Sequence, residues 1–182
     1  LRKLEHPPPR HPADRPADVW LSIDPSFKRT AVAAACFEPT IMRVLDSRAQ
    51  NALRTTQQMI DMLIDLARHW HRPGISEVRH VVVETKGMQK GLITDDAMLE
   101  LQAEIGFEIV EQETGWDKHD LDFGVAQLAR SMSRAELDFP AATKAERDHF
   151  DTLYREMKDW RPGAKPQNRG NRLKQDELMT LW

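Results

Sequence analysis

Three carboxylates in this chain stand at positions where an acid can do chemistry. Asp24 ends the apolar run that opens VWLSIDPSFKRTAVAAAC (residues 19–36), Glu84 ends the run of HVVVET (80–85), and Asp176 opens the helical pattern of KQDELMTLW (174–182). A carboxylate at the tip of a buried strand is costly unless it is paired or binds a cation. Three acids converging on one point make an oxygen-ligand site suited to Mg²⁺ or Mn²⁺. Two such ions about 3.5–4 Å apart activate a water and stabilise the leaving oxygen of a phosphodiester. The expected chemistry is therefore phosphodiester hydrolysis. Glu177 points about 100° away from Asp176 around a helix and is the alternative or assisting ligand. Each acid taken alone also has a plain structural use. Asp24 before Pro25 suits a turn, Glu84 suits a solvated strand end, and Asp176 favours the first turn of a helix through the macrodipole. It is the three in this order that point to a metal.

Cations lie near these acids. Lys28, Arg29, Lys86 and Lys90 flank the two strand tips, and RPGAKPQNRGNRLK (161–174) places Arg161, Lys165, Arg169, Arg172 and Lys174 in a Pro/Gly-containing stretch without one acid. Together they would line a groove that holds phosphates. The formal net charge of −3 over 182 residues argues against a protein that coats nucleic acid through bulk charge, so contact must come from such local patches. The seven histidines show no ligand spacing: His69 and His71 end a helix, and His119 and His149 are isolated. They read as surface residues. The single cysteine, Cys36, permits no intrachain disulfide and reads as core packing in a reducing compartment. Trp20, Trp70 and Trp160 sit in a strand or at periodic apolar positions and read as core rather than base-stacking platforms.

The elements that would position the acids follow from periodicity. Val19, Leu21 and Ile23 alternate with Trp20 and Ser22, Pro25 and Ser26 turn the chain, and Thr30 to Phe37 resumes an apolar run, which predicts a hairpin. A third strand is predicted over Thr40 to Leu45. Met59, Ile60, Leu63, Leu66, Ala67 and Trp70 then recur at helical spacing, and the helix carries the chain across to a parallel strand over 80–85. A short helix over 97–105 stopped by Gly106, a strand over 107–113, a helix through Leu121, Val125, Leu128 and Met132, a short strand over 136–139 and a helix from Phe150 to Trp160 complete the order. The prediction is an α/β domain: a mixed central sheet, antiparallel meander plus parallel strands, flanked by helices. Residues 1–18, with Pro7, Pro8, Pro9, Pro12 and Pro16 among charged residues, read as a stiff linker or arm, and 19–182 as the domain. The arm implies a neighbour upstream, and the apolar pattern still running at Leu181 and Trp182 implies residues beyond. No run spans a bilayer and no signal-peptide layout opens the chain, so a cytosolic protein without a membrane partner is expected.

The acid-tipped strands WLSIDPSFKRTAVAAAC and HVVVETKGMQKG, the ELDFP strand and the closing KQDELMTLW together resemble the nuclease domain of a bacteriophage terminase large subunit, of the RNase H-like superfamily. The resemblance covers roughly Val19 to Trp182 and rests on element order and acid positions. It implies an RNase H-like fold, Asp24, Glu84 and Asp176 as metal-binding acids with two Mg²⁺ or Mn²⁺ ions, and cleavage of concatemeric viral DNA during packaging. It further implies double-stranded DNA, an upstream ATPase domain, the portal and the small terminase subunit as partners, in the cytoplasm of an infected bacterial host. The chain departs from the family in lacking the ATPase half: no G-x-x-x-x-G-K-[ST] occurs, and GMQKG (87–91) is too short to cradle a triphosphate. Two alternatives stand beside this reading. One is another RNase H-like nuclease such as a junction resolvase; the other is a catalytically silent DNA-gripping or docking module of the packaging motor.

Overall fold

The structure, a computed structural model, describes residues 17–85, 90–113, 126–159 and 181. In chain order the elements are β1 (Ala17–Asp24), β2 (Arg29–Phe37), β3 (Met42–Asn51), α1 (Thr56–Trp70), β4 (Ser76–Glu84), α2 (Lys90–Ile93), α3 (Asp96–Ile105), β5 (Glu108–Gln112), α4 (Ala126–Ser133), β6 (Leu137–Asp138), α5 (Lys144–His149) and α6 (Asp151–Asp159). Six strands form one sheet in the order β5-β4-β1-β2-β3-β6. The first three pair antiparallel as a meander, and β4 pairs parallel with β1, β5 with β4, and β6 with β3. This is the mixed α/β sheet that the periodicities predict.

Alternation along the strands sorts the residues into two layers. Val19, Leu21 and Ile23 of β1, Val32, Ala34 and Cys36 of β2, and Val78, Val81 and Val83 of β4 share one core with Met59, Ile60, Leu63, Leu66, Ala67 and Trp70 of α1 and Met98 and Leu101 of α3. Across the sheet, Ala33 and Val44 share a second core with Leu128, Leu137, Phe150, Leu153 and Leu181. β2 is covered on both sides, which is why its run of small apolar residues reads as continuous rather than alternating. Thr55 caps α1 by accepting from the Gln58 amide, and α3 ends on Gly106 at φ 84, the left-handed conformation a glycine adopts at least cost. Cys36 is buried, and that burial pushes its thiol up to about 11, as fits a packing residue.

Several boundaries differ from the sequence reading. β1 begins at Ala17, inside the expected arm, whose other residues (1–16) lie outside the described ones. β3 starts at Met42 and continues to Asn51, six residues beyond the predicted Leu45, because Asp46 and Ser47 are buried polar residues inside a strand. A polar pair of this kind breaks the apolar pattern, yet Asp46 is satisfied by partners described below. β4 starts at Ser76 rather than His80; Ser76 is fully buried and its hydroxyl donates to the Trp70 carbonyl at 2.5 Å. α2 and α5 do not follow from apolar spacing. α5 is set by a capping box, in which Thr143 Oγ1 accepts from the Glu146 amide and the Glu146 carboxylate accepts from the Thr143 amide. Thr143→Ala should lower stability by about 1 kcal/mol, read as a shifted denaturation midpoint with unchanged slope. Leu121, Val125, Trp160, the basic stretch 161–174 and most of the last helical pattern lie outside the described residues. Among the described residues no helix is long and apolar enough to cross a membrane.

Candidate metal centre at the strand ends

Asp24 and Glu84 are brought side by side. β1 and β4 run parallel with Ile23 opposite Val83, so one residue further on Asp24 stands next to Glu84, on backbones about 4.8 Å apart. Because Ile23 and Val83 both point into the first core, Asp24 and Glu84 both point to the opposite face, the face that carries α4, α5 and α6 further across the sheet. An irregularity between Val19 and Trp20 shifts the register of β1 on β4, and everything after it, the two acids included, is aligned by that shift. Both side chains are half-buried. Like charges placed directly across two strands repel, and a cation between them removes that cost.

The donor set fits a hard divalent cation: two carboxylates on one face, at the ends of adjacent parallel strands and reached from solvent. Among the described residues no group of three or more His, Cys, Asp or Glu side chains is placed to hold a metal. The third acid of the sequence reading, Asp176, and its neighbour Glu177 lie outside the described residues, as do Lys86, Arg161, Lys165, Arg169, Arg172 and Lys174, and so does the side chain of Lys90.

The turn that follows Asp24 is held by its own hydrogen bonds. The Ser26 amide donates to Thr30 Oγ1 at 3.3 Å, the Thr30 hydroxyl donates to the Ser26 carbonyl at 2.9 Å, and the Lys28 amide donates to Ser26 Oγ at 3.3 Å. Lys28 is exposed at this rim, as a phosphate contact needs to be. Arg29 is not. It is 9% exposed, and its guanidinium donates to Glu156 Oε1 of α6 at 2.8 Å. The DNA-contact role expected for Arg29 is thereby corrected: a guanidinium committed to a buried carboxylate ties strand to helix.

A second polar tie joins β3 to α5. Asp46, 4% exposed, accepts at Oδ1 from His149 Nε2 at 2.7 Å and at Oδ2 from Arg48 Nη2 at 2.5 Å. His149 is therefore half-buried and engaged, not the isolated surface residue its spacing suggested. Burial pushes the Asp46 carboxyl up, but the hydrogen bonds from His149 and Arg48 outweigh it and bring it down to about 2, from an ordinary 3.8. A depressed carboxyl pKa stabilises the fold above pH 3.8 and loses that contribution as the pH falls from 3.8 through about 2. The expected size is about 2 kcal/mol. Urea unfolding between pH 5 and pH 2 should show wild type losing this increment relative to Asp46→Asn, whereas parallel curves would exclude it.

Trp20 also departs from expectation. It is half-buried, stacked on His80 with centroids 3.9 Å apart and meeting Phe37 edge-on at 5.6 Å, on the same face as the acids rather than in the first core. Trp70 is buried in the first core as predicted. The sequence reading missed Glu156, Asp46 and His149 as structural partners of this face. Only the unusual placement of Asp46 next to the apolar run of β3 signalled any of them.

The sheet is an antiparallel meander extended on both sides by parallel strands. Neither a protein-family model nor a curated protein sequence matches the chain. Solved structures do. A human cytomegalovirus terminase nuclease domain, Mn-soaked and inhibitor-bound, superposes with a TM-score of 0.61 at 14% identity, over 93% of this chain and 82% of that one. The large terminase of a thermophilic bacteriophage superposes with a TM-score of 0.53 at 13% identity, over 79% of this chain and 31% of that one. The chain thus has the fold of terminase nuclease domains and spans about a third of the length of the phage large terminase.

Proposed function

We propose that this chain is a metal-dependent DNA endonuclease, the nuclease domain of a terminase large subunit, which cuts concatemeric viral DNA during genome packaging. The observation that carries the reading is the pair Asp24 and Glu84, set side by side on one face at the ends of adjacent parallel strands, in a fold shared with terminase nuclease domains. Asp24, Glu84 and Asp176, with Glu177 as alternative, would hold two Mg²⁺ or Mn²⁺ ions. Mn²⁺ was soaked into the cytomegalovirus domain. Such ions supply a nucleophilic water at neutral pH and charge neutralisation at the phosphate. The chain's own part is to fix the two carboxylates at one spacing, with backbones locked by the β1–β4 ladder, and to keep them on a face that a duplex can approach.

Lys28, Lys86, Lys90, Arg161, Lys165, Arg169, Arg172 and Lys174 would hold the DNA backbone on either side of the scissile phosphate. Contacts of this kind position the duplex without reading its sequence. An ATPase domain of the same protein, the portal and the small terminase subunit are the partners this reading entails, in the cytoplasm of an infected bacterial host. Supercoiled plasmid incubated with the purified chain and Mg²⁺, Mn²⁺ or EDTA tests it, with Asp176→Ala alongside. Nicking that needs metal and is lost in Asp176→Ala supports the three-acid site. Retardation of DNA without cutting in any metal would instead make the chain a gripping module.

A further inference from the structure

We propose that Phe27, on the turn between Asp24 and Lys28, is a DNA-contacting residue of the cutting site: its ring packs against deoxyribose and base edges beside the scissile phosphate, while Lys28 takes a neighbouring phosphate. The inference rests on the nuclease reading and adds to it a contact made by neither an acid nor a cation.

Phe27 has no visible part in folding. Its neighbours Pro25, Arg29 and Thr30 are buried and pin the turn on both sides, whereas Phe27 is 43% exposed and Lys28 is exposed beside it. Among the described residues Phe27 belongs to neither hydrophobic core and meets no other aromatic ring. One exposed apolar side chain is ordinary on a protein surface. Two features set this one apart.

The first is rigidity. The turn is closed without the ring: the bonds among Ser26, Lys28 and Thr30 are joined by the Ala52 amide, which donates to the Lys28 carbonyl at 2.9 Å. The turn is thus tied to the start of β2 and to the residue after β3, and binding DNA would freeze little further backbone. The second is place. Phe27 follows Asp24 by three residues, which reach at most about 11 Å, or about three base pairs of duplex. A strand whose phosphate lies on a metal held by Asp24 therefore passes within reach of the turn. An aromatic ring beside a cation matches what such a strand offers, apolar sugar and base edges between charged phosphates. The contact tolerates any sequence, because every nucleotide presents such a surface.

The experiment is Mn²⁺-dependent cleavage of a fluorescent duplex between about 50 and 200 mM KCl, with melting temperature and Mn²⁺ affinity recorded for each variant. In Phe27→Ala the KM should rise on the order of tenfold with kcat unchanged, the mark of lost substrate binding. The slope of log KM against log salt should not move, because the ring displaces no counterion, whereas Lys28→Ala should lower it by about 1. Phe27→Trp keeps an aromatic ring and should keep the wild-type KM. Phe37→Ala removes an aromatic that is 52% exposed at the other end of β2, and should change nothing.

A wild-type KM in Phe27→Ala, or an equal rise in Phe37→Ala, overturns the contact. So does a raised KM that comes with a lower melting temperature or weaker Mn²⁺ binding, since Phe27 would then be a prop for Asp24. Wild type that shifts duplex anisotropy but cuts in no metal sinks the nuclease reading; the DNA contact survives only if Phe27→Ala weakens that binding. Wild type that neither binds nor cuts sinks both.

Discussion

Asp24→Asn and Glu84→Gln should each reduce Mn²⁺-dependent plasmid nicking by roughly 10²–10³-fold or more, the scale seen when one group that stabilises developing charge is removed. Both substitutions keep the size and shape of the side chain, so the fold is not what is tested. An amide offers one neutral oxygen where the carboxylate offered two charged ones, and a hard divalent cation loses both charge and ligand. Each side chain is half-buried at a strand end and lies outside both hydrophobic cores, so thermal unfolding of each variant separates loss of metal from loss of fold. The combination of an intact fold, weakened Mn²⁺ binding and lost nicking is the expected result. Cutting by either variant at the wild-type rate would show that the two strand-tip acids are structural.

That Asp24 and Glu84 end neighbouring parallel strands was legible in the sequence, because each strand's own residues announce it. Val19, Leu21 and Ile23 alternate, Val81 to Val83 are β-branched, and a helix of the length of α1 between them forces a parallel return. The register was not legible. It depends on the shift between Val19 and Trp20, which no local pattern announces, and a slip of one residue would have turned Glu84 to the other face. Two partnerships on the same face were hidden for the same reason. Asp46 finds His149 at a separation of 103 residues and Arg29 finds Glu156 at 127, and a polar residue in a strand reads as solvated until its distant partner is known. α5 was hidden by its length, since six residues cannot show an apolar period; its signal was Thr143 with Glu146 three residues later.

Phe150→Ala should cost about 3–5 kcal/mol, the range for removing a large buried aromatic, and the loss should fall unevenly on the two layers. Phe150 is 1% exposed and sits between α5 and α6: its amide closes α5 on the Glu146 carbonyl and its carbonyl receives the Tyr154 amide at 2.9 Å. Its ring meets Phe139 at 6.0 Å, Tyr154 at 6.4 Å and His149 at 4.9 Å, each edge-on, so truncation removes aromatic contacts as well as buried area. Among the described residues the second core has fewer buried side chains than the first, and Phe150 is the largest of them. The β1–β4 rim is held by the first core through Ile23 and Val83, which Phe150 does not touch. Amide exchange in Phe150→Ala should therefore rise first in α5 and α6, with α1 and β4 exchanging only through global unfolding. Leu63→Ala, a comparable truncation in the first core at about 2–5 kcal/mol, should raise exchange in α1 and β4 instead. Equal loss of protection in both layers for both variants would mean that the sheet and its two faces open as one unit, and that the helices carrying Glu156 and His149 have no freedom of their own.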